Sequence, residues 1–336
     1  MKRFTCGSCS NTVHFDNTVC LHCQSDLGFD PATMTICAFA GEPTGFRKCA
    51  NHAEGACNWL VPDGSDSLYC FACSLDRIVP NLTEPEHAAQ WRKVEAAKRH
   101  FLYGLMKLRL PIVTRKENPE HGLAFELLAE LPQAPAPVMT GHENGLITIN
   151  VAEASDPERE ARRVSLGEPM RTLIGHFRHE SGHYYWNLLF ADEARREEAR
   201  AIFGDERIDY QAALVRHYAN GPPADWNEHF ISAYASSHPW EDFAETWAHY
   251  LHLADGLETA FAYELLPAGA DCAYEAGLNW SLAAMTDEWV RLTIGVNAIN
   301  RSIGQPDLYS FIYSPEVTQK LAFMHDLVTR VCADPA

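Results

Sequence analysis

The sequence predicts an α+β chain in two parts: a short cysteine-rich region of strands and turns, then a larger, mainly α-helical domain with a small β-sheet. Three observations predict this. Nine of the eleven cysteines lie within the first 73 residues. From residue 86 onward, apolar side chains recur at helical spacing over long stretches. Between the two, Asn144-Gly145 interrupts a run of alternating residues, which is the signature of a tight hairpin. The expected boundary falls in Val79-Pro80-Asn81, dividing the chain into 1–80 and 81–336.

The first region is organised by its cysteines. Cys6-Gly-Ser-Cys9 and Cys20-Leu-His-Cys23 are two C-x2-C pairs. Each fits a tight knuckle, and two knuckles complete a tetrahedral thiolate site for zinc. Disulfides or a redox C-x-x-C are the other options, but two pairs so close, without a βαβ pattern, favour the metal. Cys70-Phe-Ala-Cys73 is a third pair, with Cys37, Cys49, His52 and Cys57 upstream as possible partners. Cys37 lies in the apolar run Ile36-Cys-Ala-Phe-Ala and reads as core. Cys272 and Cys332 are isolated and read as ordinary thiols. A region this small and loop-rich needs such staples to fold.

The second region opens with a helix over 86–109 that puts Trp91, Val94, Ala97/Lys98, Phe101 and Leu105 on one face. Phe125-Glu-Leu-Leu reads as a strand, residues 131–138 as a stiff proline-rich loop, and residues 138–151 as a hairpin turning at Asn144-Gly145. From 157 onward the pattern is mostly helical. Glu168-Pro169 is a plausible helix start for the apolar run that follows. Residues 192–218 form a charged insert, in which Asp205, Glu206 and Asp209 read as a solvated face and a helix cap rather than a metal cluster. Residues 253–265 and 281–303 read as helices of a C-terminal lobe. Asn297, Asn300 and Arg301 there could meet a substrate carboxylate, although exposed Asn and Arg need no such explanation.

Within this helical region stands His179-Glu180-Ser181-Gly182-His183, an H-E-x-x-H motif. On a helix, residues i and i+4 share a face, so both imidazoles can reach one metal ion. Glu180 points about 100° away from His179, where it can act as general base on water. A third ligand is expected downstream, in Trp240-Glu241-Asp-Phe-Ala-Glu245-Thr-Trp247. Glu241 as ligand and Glu245 holding the other ring nitrogen of a ligand histidine make a sensible pair. The alternative is a solvated acidic face on an amphipathic helix. His176 could replace Glu241 as ligand, but three ligands along one short helix give poor tetrahedral angles. His249 and His252 read as structural, with substrate or ligand-supporting contacts as the other option.

H-E-x-x-H followed by E-x-x-x-E on a second helix resembles the gluzincin metallopeptidases. More narrowly, the chain resembles a bacterial family of zinc-binding metallopeptidases with an N-terminal zinc ribbon. Cys49-Ala-Asn51, Cys57-Asn-Trp59-Leu-Val, the run from Arg171 through His183 to Trp186, Phe203-Gly-Asp-Glu-Arg-Ile-Asp-Tyr and His238-Pro-Trp-Glu241-Asp-Phe-Ala-Glu245 carry that resemblance. It implies a zincin-like domain over 81–336, with zinc on His179, His183 and Glu241. It implies Tyr234 as an oxyanion-stabilising residue, since several gluzincin branches carry a tyrosine there. It also implies that Cys49 and Cys57 complete a second four-cysteine zinc site with Cys70 and Cys73, with Cys37 or His52 as substitutes. In gluzincin-like folds a strand near the zinc helix pairs with extended substrate. Residues 146–151 are the candidate here, an internal strand being the alternative.

Charge narrows the function classes. The net charge is −18, and the first eighty residues carry five Lys/Arg against eight Asp/Glu. Nucleic acid and anionic membranes attract basic surfaces, so neither is expected as a partner. No run of 18 apolar residues is present. The expectation is a cytoplasmic zinc metallopeptidase with one catalytic and two structural zinc ions, acting on a peptide or protein, with a protein partner docking on the ribbon as a further option. The rivals are a catalytically silent zinc-binding interaction module and a DNA-associated H-E-x-x-H protease, the latter disfavoured by the acidic ribbon.

Overall fold

The computed structural model describes residues 1–130, 137–155, 172–266, 280–309 and 313–333. Its contacts divide into two compact units, Met1–Lys107 with Ile112–Glu158, and Leu108–Pro111 with Arg159–Ala336. Both the α+β class and the order of its parts agree with the sequence reading. Three features of that reading lie outside the described residues: most of the proline-rich loop (131–136), Glu168-Pro169 and Cys272.

The first unit begins with three two-stranded antiparallel ribbons. β1 (Phe4–Thr5) pairs with β2 (Thr12–Val13), β3 (Asp26–Asp30) with β4 (Thr35–Phe39), and β5 (Phe46–Lys48) with β6 (Leu60–Pro62). Ribbons so short bury little, and the unit gains its core from a cluster of rings: Phe4, Phe15, Phe29 and Trp59, closed by Tyr103. Tyr103 lies on α2 (Pro85–Lys107), which follows the single turn α1 (Phe71–Ser74) and β7 (Asp76–Ile78). The predicted α2 face is buried through Trp91, Val94, Phe101 and Leu105. Lys98 on that face is fully buried, with Glu95 at 2.7 Å and Asp76 on β7 as its carboxylate partners.

β8 (Ala124–Leu128), β9 (Gly141–Glu143) and β10 (Leu146–Asn150) join β7 in a four-stranded sheet of order β7-β8-β10-β9. The β9–β10 turn is Asn144-Gly145, as predicted. Both residues have positive φ, and a Cβ on Gly145 would lie 2.2 Å from the His121 carbonyl oxygen, so only glycine fits. β10 is internal. It pairs in parallel with β8 on one side and antiparallel with β9 on the other, and Asn150 bonds Thr140 and Val138 beyond the end of β9. Among the described residues Leu146–Thr148 is paired on both sides, which favours the internal-strand alternative.

The second unit is helical: α3 (Leu173–Leu189), α4 (Glu193–Phe203), α5 (Tyr210–Asn220), α6 (Trp226–His229), a 3₁₀ turn (Tyr234–Ser237), α7 (Pro239–Ala262), α8 (Leu282–Ser302) and α9 (Pro315–Ala333). Side chains of Thr172, Asp192, Asp209 and Ser281 cap α3, α4, α5 and α8 by accepting a backbone N–H. Two readings change here. Residues 253–265 are not a separate helix: α7 runs unbroken to Ala262, with Gly256 inside it where a Cβ would meet the Trp289 ring. α9 was not anticipated, and it is pinned to α7 by a buried Lys320–Asp242 pair at 2.7 Å.

The packing that matters most is α3 against α7. A Cβ on Gly182 would lie 2.7 Å from the Ala244 Cα, so this glycine lets the two backbones meet. Ser181 accepts from the Trp247 indole at 3.0 Å and donates to the Arg178 carbonyl at 2.7 Å. The two x positions of H-E-x-x-H thus hold the motif's helix onto its partner. Around them Tyr185, Trp186, Phe243 and Trp247 pack ring against ring.

Candidate metal centres

Four groups of donor atoms converge among the described residues, and one of them, Cys73 with Asp76 and Glu95, shares Cys73 with a four-cysteine group and has both carboxylates paired with Lys98. The sulfurs of Cys6, Cys9, Cys20 and Cys23 form the first, and those of Cys49, Cys57, Cys70 and Cys73 the second, each set mutually within 4.8 Å. All eight are free thiols. Cys6 and Cys23 are 3.7 Å apart, as are Cys9 and Cys20, and Cys57 and Cys70 are 3.6 Å apart. Those separations are far too long for disulfides. A tetrahedral site with Zn–S bonds near 2.3 Å places its sulfurs about 3.8 Å apart, so the donor sets fit the ion. The candidate substitutes lie outside that donor group. Cys37 lies on β4 opposite Gly28, and His52 turns its Nδ1 to the Cys57 carbonyl at 3.1 Å. Cys49 sits just ahead of a 3₁₀ turn and Cys70 at the cap of α1, so chain reversals aim both thiols.

The third group is His179, His183 and Glu241. Glu241 Oε2 lies 3.0 Å from His179 Nε2 and 3.6 Å from His183 Nε2. Around a tetrahedral ion with bonds near 2.05 Å such donors stand about 3.3 Å apart, so this set also fits zinc. Neutral imidazole nitrogens and a carboxylate oxygen facing one another repel unless a cation or proton lies between them. Glu241 is 1% exposed, and it occupies the third position of α7, near the positive end of the helix dipole.

The surroundings fix each donor. His179 Nδ1 donates to Glu245 Oε1 at 2.6 Å, which leaves the Nε2 lone pair pointing at the shared centre. Glu245 accepts a second bond from the Ser232 hydroxyl at 2.6 Å. Burial alone would raise the Glu245 carboxyl, but His179 and Ser232 hold it down at about 2. The His183 ring rests on Trp240, with centroids 4.0 Å apart. Glu180 is buried beside both histidines, and burial pushes its carboxyl above the usual glutamate range. Tyr234 lies against the His179 ring, with centroids 5.9 Å apart.

One contact was missed in the sequence. The Tyr210 hydroxyl donates to Glu241 Oε1 at 2.6 Å, from the first residue of α5. Tyr210 ends the segment Phe203-Gly-Asp-Glu-Arg-Ile-Asp-Tyr, which was noted for its resemblance and otherwise read as a charged insert. Its acidic residues serve locally: Asp205 binds Arg207, Glu206 binds Arg200, and Asp209 caps α5.

The remaining candidates lie elsewhere. His176 is not part of the donor group. His252 hydrogen-bonds Arg178, which also pairs with Asp255. His249 packs against Tyr309, and burial pushes its imidazole down to about 4. Asn297 and Asn300 bind the backbone at Tyr309 and Pro306, and Arg301 pairs with Asp307. These three side chains secure the end of α8, which favours the preferred reading that they need no substrate to explain them. Cys332 is buried and donates to the Leu108 carbonyl. Among the described residues no helix is long and apolar enough to cross a membrane.

Comparison with known proteins agrees with this geometry. Residues 87–327 match the model of a family described as "Putative zinc-binding metallo-peptidase", and residues 3–84 match a zinc-ribbon domain. Uncharacterized proteins of Mycobacterium tuberculosis and Mycobacterium bovis are 42% identical over 335 residues, covering 99% of this chain and 97% of theirs. No solved structure matches. The chain belongs to the zinc-binding metallo-peptidase family so described, preceded by a zinc ribbon.

Proposed function

We propose that this family member is a zinc-dependent peptidase of the gluzincin type, acting on a peptide or protein. The observation that supports this reading is the convergence of His179 Nε2, His183 Nε2 and Glu241 Oε2 beside the buried Glu180. In it, His179, His183 and Glu241 hold the ion, and the two four-cysteine sites hold structural zinc. Bound between the three donors, zinc supplies Lewis acidity, polarising a peptide carbonyl and making water more acidic. Glu180 takes a proton from the attacking water and returns it to the leaving amine. Its burial suits that exchange, since burial raises the carboxyl above its usual range and makes the carboxylate a better proton acceptor. Tyr234 donates its hydroxyl hydrogen to the oxyanion that develops on the former carbonyl. Glu245 keeps His179 in the tautomer that presents Nε2.

The test has two steps. Zinc per chain, measured by mass spectrometry, is expected to be three in the wild type and two in His179→Ala. Glu180→Gln is then expected to keep its zinc while turnover of an unfolded-protein or peptide-library substrate falls by about 10²- to 10⁴-fold. Cleavage at the wild-type rate by Glu180→Gln would sink the assignment.

A further inference from the structure

We propose that Tyr210 is a positioning residue for the metal, holding Glu241 to a single donor oxygen. This rests on the reading of Glu241 as the third ligand. The Tyr210 hydroxyl donates to Oε1 at 2.6 Å, the length of a strong charge-assisted bond. Oε2 is the oxygen that faces the two histidines. A carboxylate oxygen that already accepts such a bond is a weaker metal donor, so Glu241 offers Oε2 alone. If both oxygens chelated the ion, they would fill the position that a catalytic site keeps open.

Tyr210 is built to stay there. Asp209 caps α5 by accepting from Ala212 N at 2.9 Å, which sets Tyr210 at the first position of the helix. The Tyr210 ring stands edge-on against His238 and Trp240, with centroids 5.1 and 5.8 Å away. His238 ties the parts together. Its Nδ1 accepts from Trp240 N at 3.0 Å and so caps α7, the ligand helix, while its Nε2 donates to the Ile208 carbonyl at 3.2 Å. Both bonds are satisfied by one tautomer of the neutral ring. The start of α7, which carries Glu241, and the start of α5, which carries Tyr210, are therefore fastened to each other by His238.

The test uses the full chain with cobalt(II) as probe. A chelator strips the His/Glu centre while the buried thiolate sites keep their zinc, and cobalt(II) is then titrated in. A four-coordinate cobalt ion absorbs strongly in the visible, and a five-coordinate one more weakly. The wild type is expected to give the strong, four-coordinate spectrum. Tyr210→Phe is expected to lose about half of that intensity or more, and about 10- to 100-fold in cobalt affinity, through loss of an outer-shell partner. A role in folding alone would lower the melting temperature and leave the band intensity per bound cobalt unchanged. An unchanged spectrum and affinity in Tyr210→Phe overturns the proposal. So does a five-coordinate spectrum in the wild type, which decides the matter even if the variant does not fold. Glu241→Gln separates the two levels: if its spectrum and affinity equal the wild type's, Glu241 is not a ligand and the underlying reading fails instead.

Discussion

The Cys49/Cys57/Cys70/Cys73 cluster and the His179/His183/Glu241 cluster gather their donors at similar distances but are built by opposite means. The four cysteines come from turns and from the ends of very short elements. Around them the chain is held by the short β5–β6 ribbon, by Arg47 on the Ser65 and Ser67 carbonyls, by the rings of Phe29 and Trp59 and by the flank of α2. The histidines and Glu241 come from two long helices that meet through Gly182 and Ala244 over an aromatic core. In the first case, on the proposed reading, the metal would organise the fold. In the second, on the proposed reading, the fold would organise the metal, and Glu245, which accepts from His179 Nδ1, would tune it. The burial pattern agrees: all four cysteines are buried, whereas His179 keeps some exposure.

Metal removal should separate the two designs most strongly. Cys57→Ser is expected to lose one zinc and, with it, a zinc-linked stability on the order of 10 kcal/mol. Hydrogen exchange would show this as lost amide protection across β5, β6 and α1. His179→Ala should also lose one zinc yet keep its far-ultraviolet circular dichroism and the protection of α3 and α7. If His179→Ala unfolds its unit as thoroughly as Cys57→Ser does, the contrast is wrong.

A smaller effect tests whether helix packing places the histidines. Gly182→Ala puts a methyl carbon 2.7 Å from the Ala244 backbone. Such overpacking costs about 1–3 kcal/mol, visible in thermal denaturation. It should also weaken zinc at the His/Glu centre while both four-cysteine sites keep theirs. Full zinc and an unchanged melting temperature would mean that the α3–α7 approach does not set the donor geometry.

Next comes tuning. Glu245→Gln removes the charge that orients His179 and should lower zinc affinity at that centre by about 10- to 100-fold, read by competition with a chelator, with little change in stability.

The smallest effect is expected at Asp16. Burial would raise its carboxyl, but His100 and Arg99 hold it below the usual aspartate range. A depressed folded pKa contributes stability above the unfolded value of 3.8, and that stability is lost as the pH falls through the folded pKa. The side chain is 45% exposed, so solvent screens the pair. Asp16→Asn should cost about 1 kcal/mol or less at pH 7 by urea titration, and progressively less as the pH falls below 3.8. A large loss would mean that ion pairs, rather than thiolate sites, hold the first unit together.

The sequence alone determined whatever depends on local spacing. Cys6/Cys9 and Cys20/Cys23 pair because two intervening residues fit a knuckle. His179 and His183 share a face because four residues make about one helical turn. Asn144-Gly145 turns the chain because positive φ is needed there. The Glu241/Glu245 spacing was equally legible, although it could also have been a wet helix face. Tertiary structure decided what depends on distant segments meeting. It made β10 an internal strand by setting β8 beside it, through a parallel pairing that no local pattern announces. It placed His52 and Cys37 outside the second cysteine group, and it merged two expected helices into α7. It also brought Tyr210 to Glu241 across 31 positions of sequence. A hydroxyl bonded to a buried carboxylate carries no spacing rule, because its partner is chosen by the packing of α5 against the start of α7.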